Sequence, residues 1–418
     1  MHQNFKKFLL LWSGELISAI GGGLTSFGLT VYVFSKTGSA ASTALIALLA
    51  FLPNLLLGVP AGVLADRMDR RLLMMLGDGL SAIGLIYILI CMVSGGAQVW
   101  QICLGVTVSS VFSSLMEPSY KATVSDLLTE EEYVKASGLV SLAGSARYLI
   151  SPFLAGLLLA VSDIKLLLMI DICTFVFTVI TTDVVRHGMT EKKEKKATSF
   201  ADDLRGGWKA VTGNQGLITL VAMAALMTFC MGAIQILSEP MILDFKSSKT
   251  LGIVETVCAS GMLVTSILLG AKGMKKGIVK ALCLSLSIAG LCMLGFGFRE
   301  NLILIGISGF VFFMMIPVAN SSLDYLVRIN VSNELQGRAW GVIGFISQLG
   351  YVISYGVSGI LADRIAGVRG ISVGRGSAAV IMFSGVLLTL SAVLLYWIKN
   401  VRELEQGKQE NVKTEYRF

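Results

Sequence analysis

Four stretches of this chain place acidic and small polar residues inside long apolar runs at helical spacing. Glu15, Ser18, Gly22 and Ser26 recur every three or four residues, as do Thr107, Ser110, Ser114 and Glu117, and again Thr228, Gly232, Gln235 and Glu239. Pro317, Asn320 and Asp324 repeat the pattern more weakly. Such spacing puts each set on one helix face, making a small or polar stripe with a carboxyl group in it. A charge at the centre of a bilayer costs roughly 2.5–3.5 kcal/mol on insertion scales, so it faces a cavity or a partner. Burial disfavours the charged form of a carboxyl group, which suits such a group to binding and releasing protons near neutral pH. Glu15, about 10 Å into its run at 1.5 Å per residue, is the first candidate for a proton carrier. Arg147 is its candidate countercharge, and Asp171 ranks after them. The bland uses compete throughout: close packing for the small residues, an ion pair for Arg147 and Asp171, solvation for Glu117, Glu239, Glu255 and Asp324 near run ends.

Two further constellations are mechanical. Gly58 and Gly62 thin one helix face so that a neighbour can approach, and Asp66, Arg67, Arg70 and Arg71 form a charged turn behind them. There Asp66 can accept hydrogen bonds from a helix N-terminus or pair with an arginine, as a latch would. Gly144, Ser151, Pro152 and Gly156 combine small residues with a proline, which predicts a kinked helix in close contact with another.

The elements that must hold these residues follow from composition. Of the 418 residues 54% are hydrophobic and only 15% are charged, with a mean hydropathy of +0.76. The apolar runs reach about 20 residues, the length that crosses a bilayer as helix, and they lack the alternation of membrane strands. Twelve spans are expected, over 8–34, 40–65, 72–94, 98–120, 136–160, 165–186, 216–243, 251–272, 278–298, 301–326, 338–362 and 377–398. The first is too long for a signal-peptide core and is kept as structure.

The net charge of +7 is a matter of topology rather than of an acidic partner. Of the 34 Lys and Arg, 25 lie on alternate connections counted from the N-terminus, among them Lys6, Lys7, the Lys192–Lys196 cluster, Lys272, Lys275 and Lys276. Eight lie on the other side and Arg147 falls within a span. The positive-inside rule makes the basic face cytoplasmic, with both termini inside. Arg364, Arg369 and Arg375, in the last outer loop, run against that trend. The basic runs fit topology and anionic lipid, not nucleic acid.

The seven cysteines (91, 103, 173, 230, 258, 283 and 292) lie within spans without a C-x-x-C pair, and His2 and His187 are far from any ligand cluster. No metal or other cofactor is expected. No G-x-x-x-x-G-K-[ST] loop occurs, which disfavours an ATP-driven pump, and no nucleophile-and-base arrangement suggests an enzyme.

The polar stretch 187–213 divides the spans six and six. The expected organisation is a bundle over 1–186, a basic cytoplasmic linker over 187–213, a second bundle over 214–400 and a cytoplasmic tail over 401–418. Ser151–Leu158 in the fifth span and Ser354–Leu361 in the eleventh place small residues alike, as repeated halves would. Gly270–Lys276 keeps the glycine and basic residues of the charged turn but has no Asp.

Gly62-Val63-Leu64-Ala65-Asp66-Arg67-Met68-Asp69-Arg70-Arg71 resembles the G-x-L-A-D-R-x-G-R-R turn between the second and third helices of major facilitator superfamily transporters. Asp69 replaces the usual glycine. That version is similar to the branch of macrolide-efflux and siderophore-export proteins, as are Trp12–Ser18, Thr37–Ala40 and Asn333–Ala339. Gly144–Gly156 resembles the superfamily's antiporter motif, with Ser151 for a usual glycine. The fourth span lacks the arginine that assists proton transfer in many of its drug antiporters.

The resemblance implies an all-α polytopic fold of two six-helix bundles. It puts spans one, four, seven and ten around a central cavity and gives Asp66 and its basic neighbours the task of stabilising one of two alternating conformations. It further implies a monomer in a bacterial cell membrane that exports an amphipathic small molecule in exchange for protons. Met227, Met231, Met314, Met315, Phe229 and Phe313 are candidates for an adaptable lining, against ordinary packing. An importer, a narrow-substrate exporter of a metabolite or siderophore, and a non-transporting sensor are the alternatives. The last is disfavoured because 187–213 and the tail are too short for a signalling domain.

Overall fold

Apolar runs of this length in lipid must satisfy every backbone N–H and C=O internally, and helices do so within one segment. In the computed structural model the described residues are 3–186, 200–272, 277–332 and 335–405. His2, His187, the Lys192–Lys196 cluster, Lys275, Lys276, Asn333, Glu334 and the tail beyond 405 lie outside them. Among the described residues twelve helices are long and apolar enough to cross a membrane.

The first unit holds residues 3–186 with 246–256. Its helices are α1 (Gln3–Thr37), α2 (Ala40–Arg67), α3 (Arg70–Val93), α4 (Val99–Ser113), α5 (Met116–Leu127), α6 (Glu130–Leu149), α7 (Ser151–Val161) and α8 (Ile164–Arg186). The pairs α4–α5 and α6–α7 are each one span interrupted by a break. The α6–α7 break falls at Ile150, where Pro152 in the first turn of α7 cannot continue the hydrogen-bond ladder. α1 lies along α8 because Gly14, Gly21 and Gly28 recur at seven-residue intervals. A Cβ on Gly14 would meet Thr181 Oγ1 at 2.6 Å, and one on Gly21 would meet Thr174 Oγ1 at 2.6 Å and Asp171 Oδ1 at 2.7 Å. At one end of the bundle Phe8, Leu11, Met74, Met116, Tyr120, Val124, Ala136 and Val185 pack into an apolar core.

The second unit holds residues 200–245 and the described residues from 257 to 405. It contains α9 (Phe200–Thr212), α10 (Gln215–Leu243), most of α11 (Ser248–Lys272), α12 (Ile278–Phe298), α13 (Leu302–Asn330), α14 (Gln336–Arg369), α15 (Val373–Trp397) and the short α16 (Lys399–Glu403). Residues 200–212 of the charged stretch are therefore helical, and α9 lies on α14, with Gly207 against the Arg338 carbonyl. The backbone amides of Ile278 and Val279 donate to the Glu405 carboxylate at 2.9 and 3.4 Å, so the chain beyond α16 caps α12.

α14 runs to Arg369 and α15 starts at Val373, so Arg364 and Arg369 end a helix and Arg375 begins the next, instead of sharing a loop. Arg375 donates to the Gly297 and Phe298 carbonyls at the C-terminal end of α12, at 3.4 and 3.5 Å, and lies 3.9 Å from Glu300. A cation at a helix C-terminus is favoured by the helix dipole, which accounts for Arg375.

Candidate functional site

The charged turn is organised by Arg70. Its guanidinium pairs closely with Asp126 on α5 and lies 3.5 Å from Asp66. It also donates to the Ala65 carbonyl at 3.0 Å and to the Ala122 carbonyl at 3.3 Å, joining the end of α2 to α5. A planar guanidinium with five donors suits such a junction. Asp69 caps α3 by accepting from the Arg71 amide at 3.1 Å, and its other oxygen accepts from Arg186 Nε at 2.8 Å. The unusual acid thus ties the start of α3 to the end of α8, which glycine cannot do. Arg71 is buried and Arg67 exposed. A Cβ on Gly58 or Gly62 would meet nothing within 4 Å among the described residues.

A second group lies inside the first unit. Glu15 stands one helical turn beyond Leu11 of the apolar core, half-buried, and interacts electrostatically with Glu117 and Arg147. Asp171 is 1% exposed, and its Oδ1 accepts from Thr174 Oγ1 at 3.3 Å beside Gly21. Arg147 acts on Asp171 as well as on Glu15, so the three sequence candidates belong to one electrostatic group. Gly22, on the Glu15 face of α1, meets nothing within 4 Å, and Ser18 is half-buried. Glu117 is exposed and pairs with Lys121.

The structure adds Asp78 on α3, 3% exposed, which interacts electrostatically with Glu15 and Asp171. An acid deep in the predicted span 72–94 meets the same criterion that selects Asp171, so this signal was present in the sequence. Asp126 and Arg186 carried no such signal, because each acts through a partner far along the chain.

The remaining stripes divide between packing and exposure. Thr228 donates to the Ser347 carbonyl, a Cβ on Gly232 would meet Ser354 Cβ at 2.9 Å, and Gln235 accepts from the Tyr355 hydroxyl at 2.9 Å. That face of α10 therefore joins α14, and its small residues permit the close approach. Ser110 donates to the Leu49 carbonyl on α2 at 2.9 Å, and Ser114 bonds its own helix at 2.6 Å. Thr107 likewise bonds back to Cys103 at 2.7 Å. Glu239 is half-buried, while Asn320 and Asp324 are exposed. Met227 and Met231 are buried, whereas Phe229, Phe313, Met314 and Met315 are half-buried.

Around Pro152 the contacts are specific. Ser151 Oγ donates to the Ile20 carbonyl of α1 at 3.0 Å, with Gly23 making room for it. A Cβ on Gly156 would meet the Ser248 carbonyl at 2.9 Å and Gly252 Cα at 3.3 Å, so α7 and the first turns of α11 touch at backbone distance. Thr256 Oγ1 donates to the Leu149 carbonyl at 3.1 Å, just before the break. Gly144 meets nothing within 4 Å.

Twelve helices long and apolar enough to cross a membrane, with a charged turn after the second and buried ionisable groups, mark a polytopic helical membrane protein. Residues 11–355 match the model of the Major Facilitator Superfamily, and the chain belongs to that family. It is 26% identical to macrolide efflux protein A of Streptococcus pyogenes, over 97% of this chain and 99% of that protein. It is 24% identical to the MFS-type transporter YfiS of Bacillus subtilis, over 87% and 89% of the two chains. Among solved structures, a bacterial homologue of the lysosomal transporter Spinster superposes with a TM-score of 0.73 at 12% identity, covering 97% of this chain and 99% of that one. The nucleoside transporter NupG gives 0.73 at 14% identity, covering 94% and 100%. At such identities these two likenesses establish the fold alone.

Proposed function

We propose that this protein is a proton-coupled exporter of amphipathic small molecules of the macrolide type. It works by alternating access as a monomer in a bacterial cell membrane, with both termini in the cytoplasm. The observation that carries the reading is end-to-end relatedness to macrolide efflux protein A, over 97% of this chain. The group of Glu15, Asp171 and Arg147 supports it, because carboxyl groups within membrane helices beside a countercharge are fitted to take up and release protons. In this reading Glu15 carries the proton, Arg147 offsets its charge, and Asp66 with Arg70 stabilises one of the alternating conformations. The two bundles of the domain reading, 1–186 and 214–400, move against each other with 187–213 as their connection.

The test is loss of labelled macrolides and lipophilic dyes from preloaded cells that make the native chain, Asp66→Asn or Glu15→Gln, with and without a proton uncoupler. Native cells are expected to lose at least one compound faster than cells lacking the protein. The uncoupler and either substitution should each abolish the gain. Full, gradient-dependent efflux by Glu15→Gln would remove that residue from the mechanism. Equal loss for every compound, with the native protein present in the membrane, would overturn the drug-efflux reading in favour of a narrow substrate or import.

A further inference from the structure

Just beyond the apolar core of the first unit lies a layer of polar groups that the reading above does not use. Leu11, Met74, Tyr120 and Val185 belong to that core. α1 and α3 each leave it with an acid one turn on, since Glu15 follows Leu11 and Asp78 follows Met74 by four residues. On α5, Ser119 lies between the core residues Met116 and Tyr120, and Thr182 precedes Val185 by three residues on α8. Thr123, one turn along α5 from Ser119, contacts the Met74 sulfur at 3.8 Å, which aligns α5 with the Met74–Asp78 face of α3. Thus α1, α3 and α8 bring one carboxyl or hydroxyl group each, and α5 two, to a single level.

These groups are buried and under-partnered to a degree that packing does not explain. Asp78 is 3% exposed, Ser119 0%, Tyr120 4% and Thr182 1%. Asp78 Oδ2, Ser119 Oγ, the Tyr120 hydroxyl and Thr182 Oγ1 all lack a hydrogen-bond partner among the described residues. A buried polar atom without a partner is costly, and several at one level are rare in a native protein. The charged groups facing this layer are Glu15 from α1, Glu117 from α5, Arg147 from α6 and Asp171 from α8. Glu117 is exposed and already paired with Lys121, so Arg147 is the cation that offsets Glu15 and Asp171. Two carboxyl groups that share a site favour keeping one proton between them.

We propose that Asp78 and Glu15 form a carboxyl pair that shares the transported proton, with the Ser119, Tyr120 and Thr182 hydroxyls supplying its hydrogen bonds. Uptake forms one O–H bond on a carboxylate oxygen with a proton from the aqueous side, and release breaks that bond, with no change of oxidation state. Tyr120 is a positioning residue, since it acts on the pair and not on the transported compound. The proposal rests on the proton-coupled reading above and assigns its carrier more closely.

The test uses the full chain in proteoliposomes, with labelled erythromycin as the probe, and infrared spectra of the same membranes at neutral pH. The native protein is expected to show the C=O stretch of a protonated carboxyl group, and Asp78→Asn to lose it. Asp78→Asn should also abolish gradient-driven efflux while sparing exchange of probe between equal concentrations. Asp78→Glu should restore the driven flux, and Tyr120→Phe should shift its pH profile.

An unchanged band in Asp78→Asn, or undiminished gradient-driven efflux, overturns the assignment and leaves proton coupling standing. Native efflux that ignores a proton gradient, or follows a sodium gradient instead, overturns the coupling reading itself. The infrared comparison does not depend on erythromycin being carried. Should Asp78→Asn not fold, an unmoved pH profile in Tyr120→Phe overturns the arrangement in its place.

Discussion

A leucine at position 21 would bring its first carbon within 2.7 Å of Asp171 Oδ1 and 2.6 Å of Thr174 Oγ1. Neither neighbour can retreat easily, because Thr174 is also bonded to the Asp171 carbonyl of its own helix at 2.7 Å. Gly21→Leu should therefore destabilise the first unit by about 1–3 kcal/mol, the usual cost of overpacking, read as a lower melting temperature in detergent. The same substitution at Gly22, where a Cβ meets nothing within 4 Å, should leave that temperature unchanged. Equal melting of the two variants would show that α1 does not present these faces as described. Adjacent glycines thus have opposite reasons to be small: one admits a carboxyl group, and the other borders open space.

At the scale of elements, the Asp69–Arg186 pair couples the start of α3 to the end of α8. Asp69 is the less exposed partner, its side chain 16% accessible against 38% for Arg186. A double-mutant cycle with Asp69→Ala and Arg186→Ala should give a coupling of about 0.5–1 kcal/mol in unfolding, toward the upper end for a partly exposed pair. Additive effects would mean that Asp69 matters only as the cap of α3. Glycine, usual at this position in the wider superfamily, offers neither the cap nor the pair. The α10–α14 contact is of another kind, since Gly232 and Gly350 let hydroxyl and carbonyl groups of the two helices meet. Its polar residues hold two helices together, and Gln235 is engaged by Tyr355.

For the whole molecule, hydropathy and charge make a prediction about sidedness. Lys36 and Lys165 lie on the side poor in basic residues and Lys209 on the side rich in them. With the native cysteines replaced, Lys36→Cys and Lys165→Cys should react with a membrane-impermeant maleimide in intact cells, and Lys209→Cys only after lysis. Labelling of Lys209→Cys in intact cells would invert the topology. The described cysteines are all free, and Cys230, Cys258 and Cys283 are buried. The replacement background should therefore retain the fold where small residues substitute for them.

The sequence by itself determined the twelve helices, their membrane setting and the family, because span length, hydropathy and the turn at Gly62–Arg71 are local properties of the chain. It also singled out Glu15, Arg147 and Asp171, since an ionisable residue within an apolar run is visible without knowing its neighbours. Asp78 was equally visible by that criterion, yet only its neighbours give it meaning. Tertiary structure decided which polar residues meet. Arg70 finds Asp126 across 56 positions, Arg186 finds Asp69 across 117, and Thr228 finds the Ser347 carbonyl across 119. Helical spacing can place Gly232 and Gly22 on comparable stripes, but it cannot tell which stripe another helix covers. In this fold α14 covers one and open space borders the other, a difference set by packing among helices far apart in the chain.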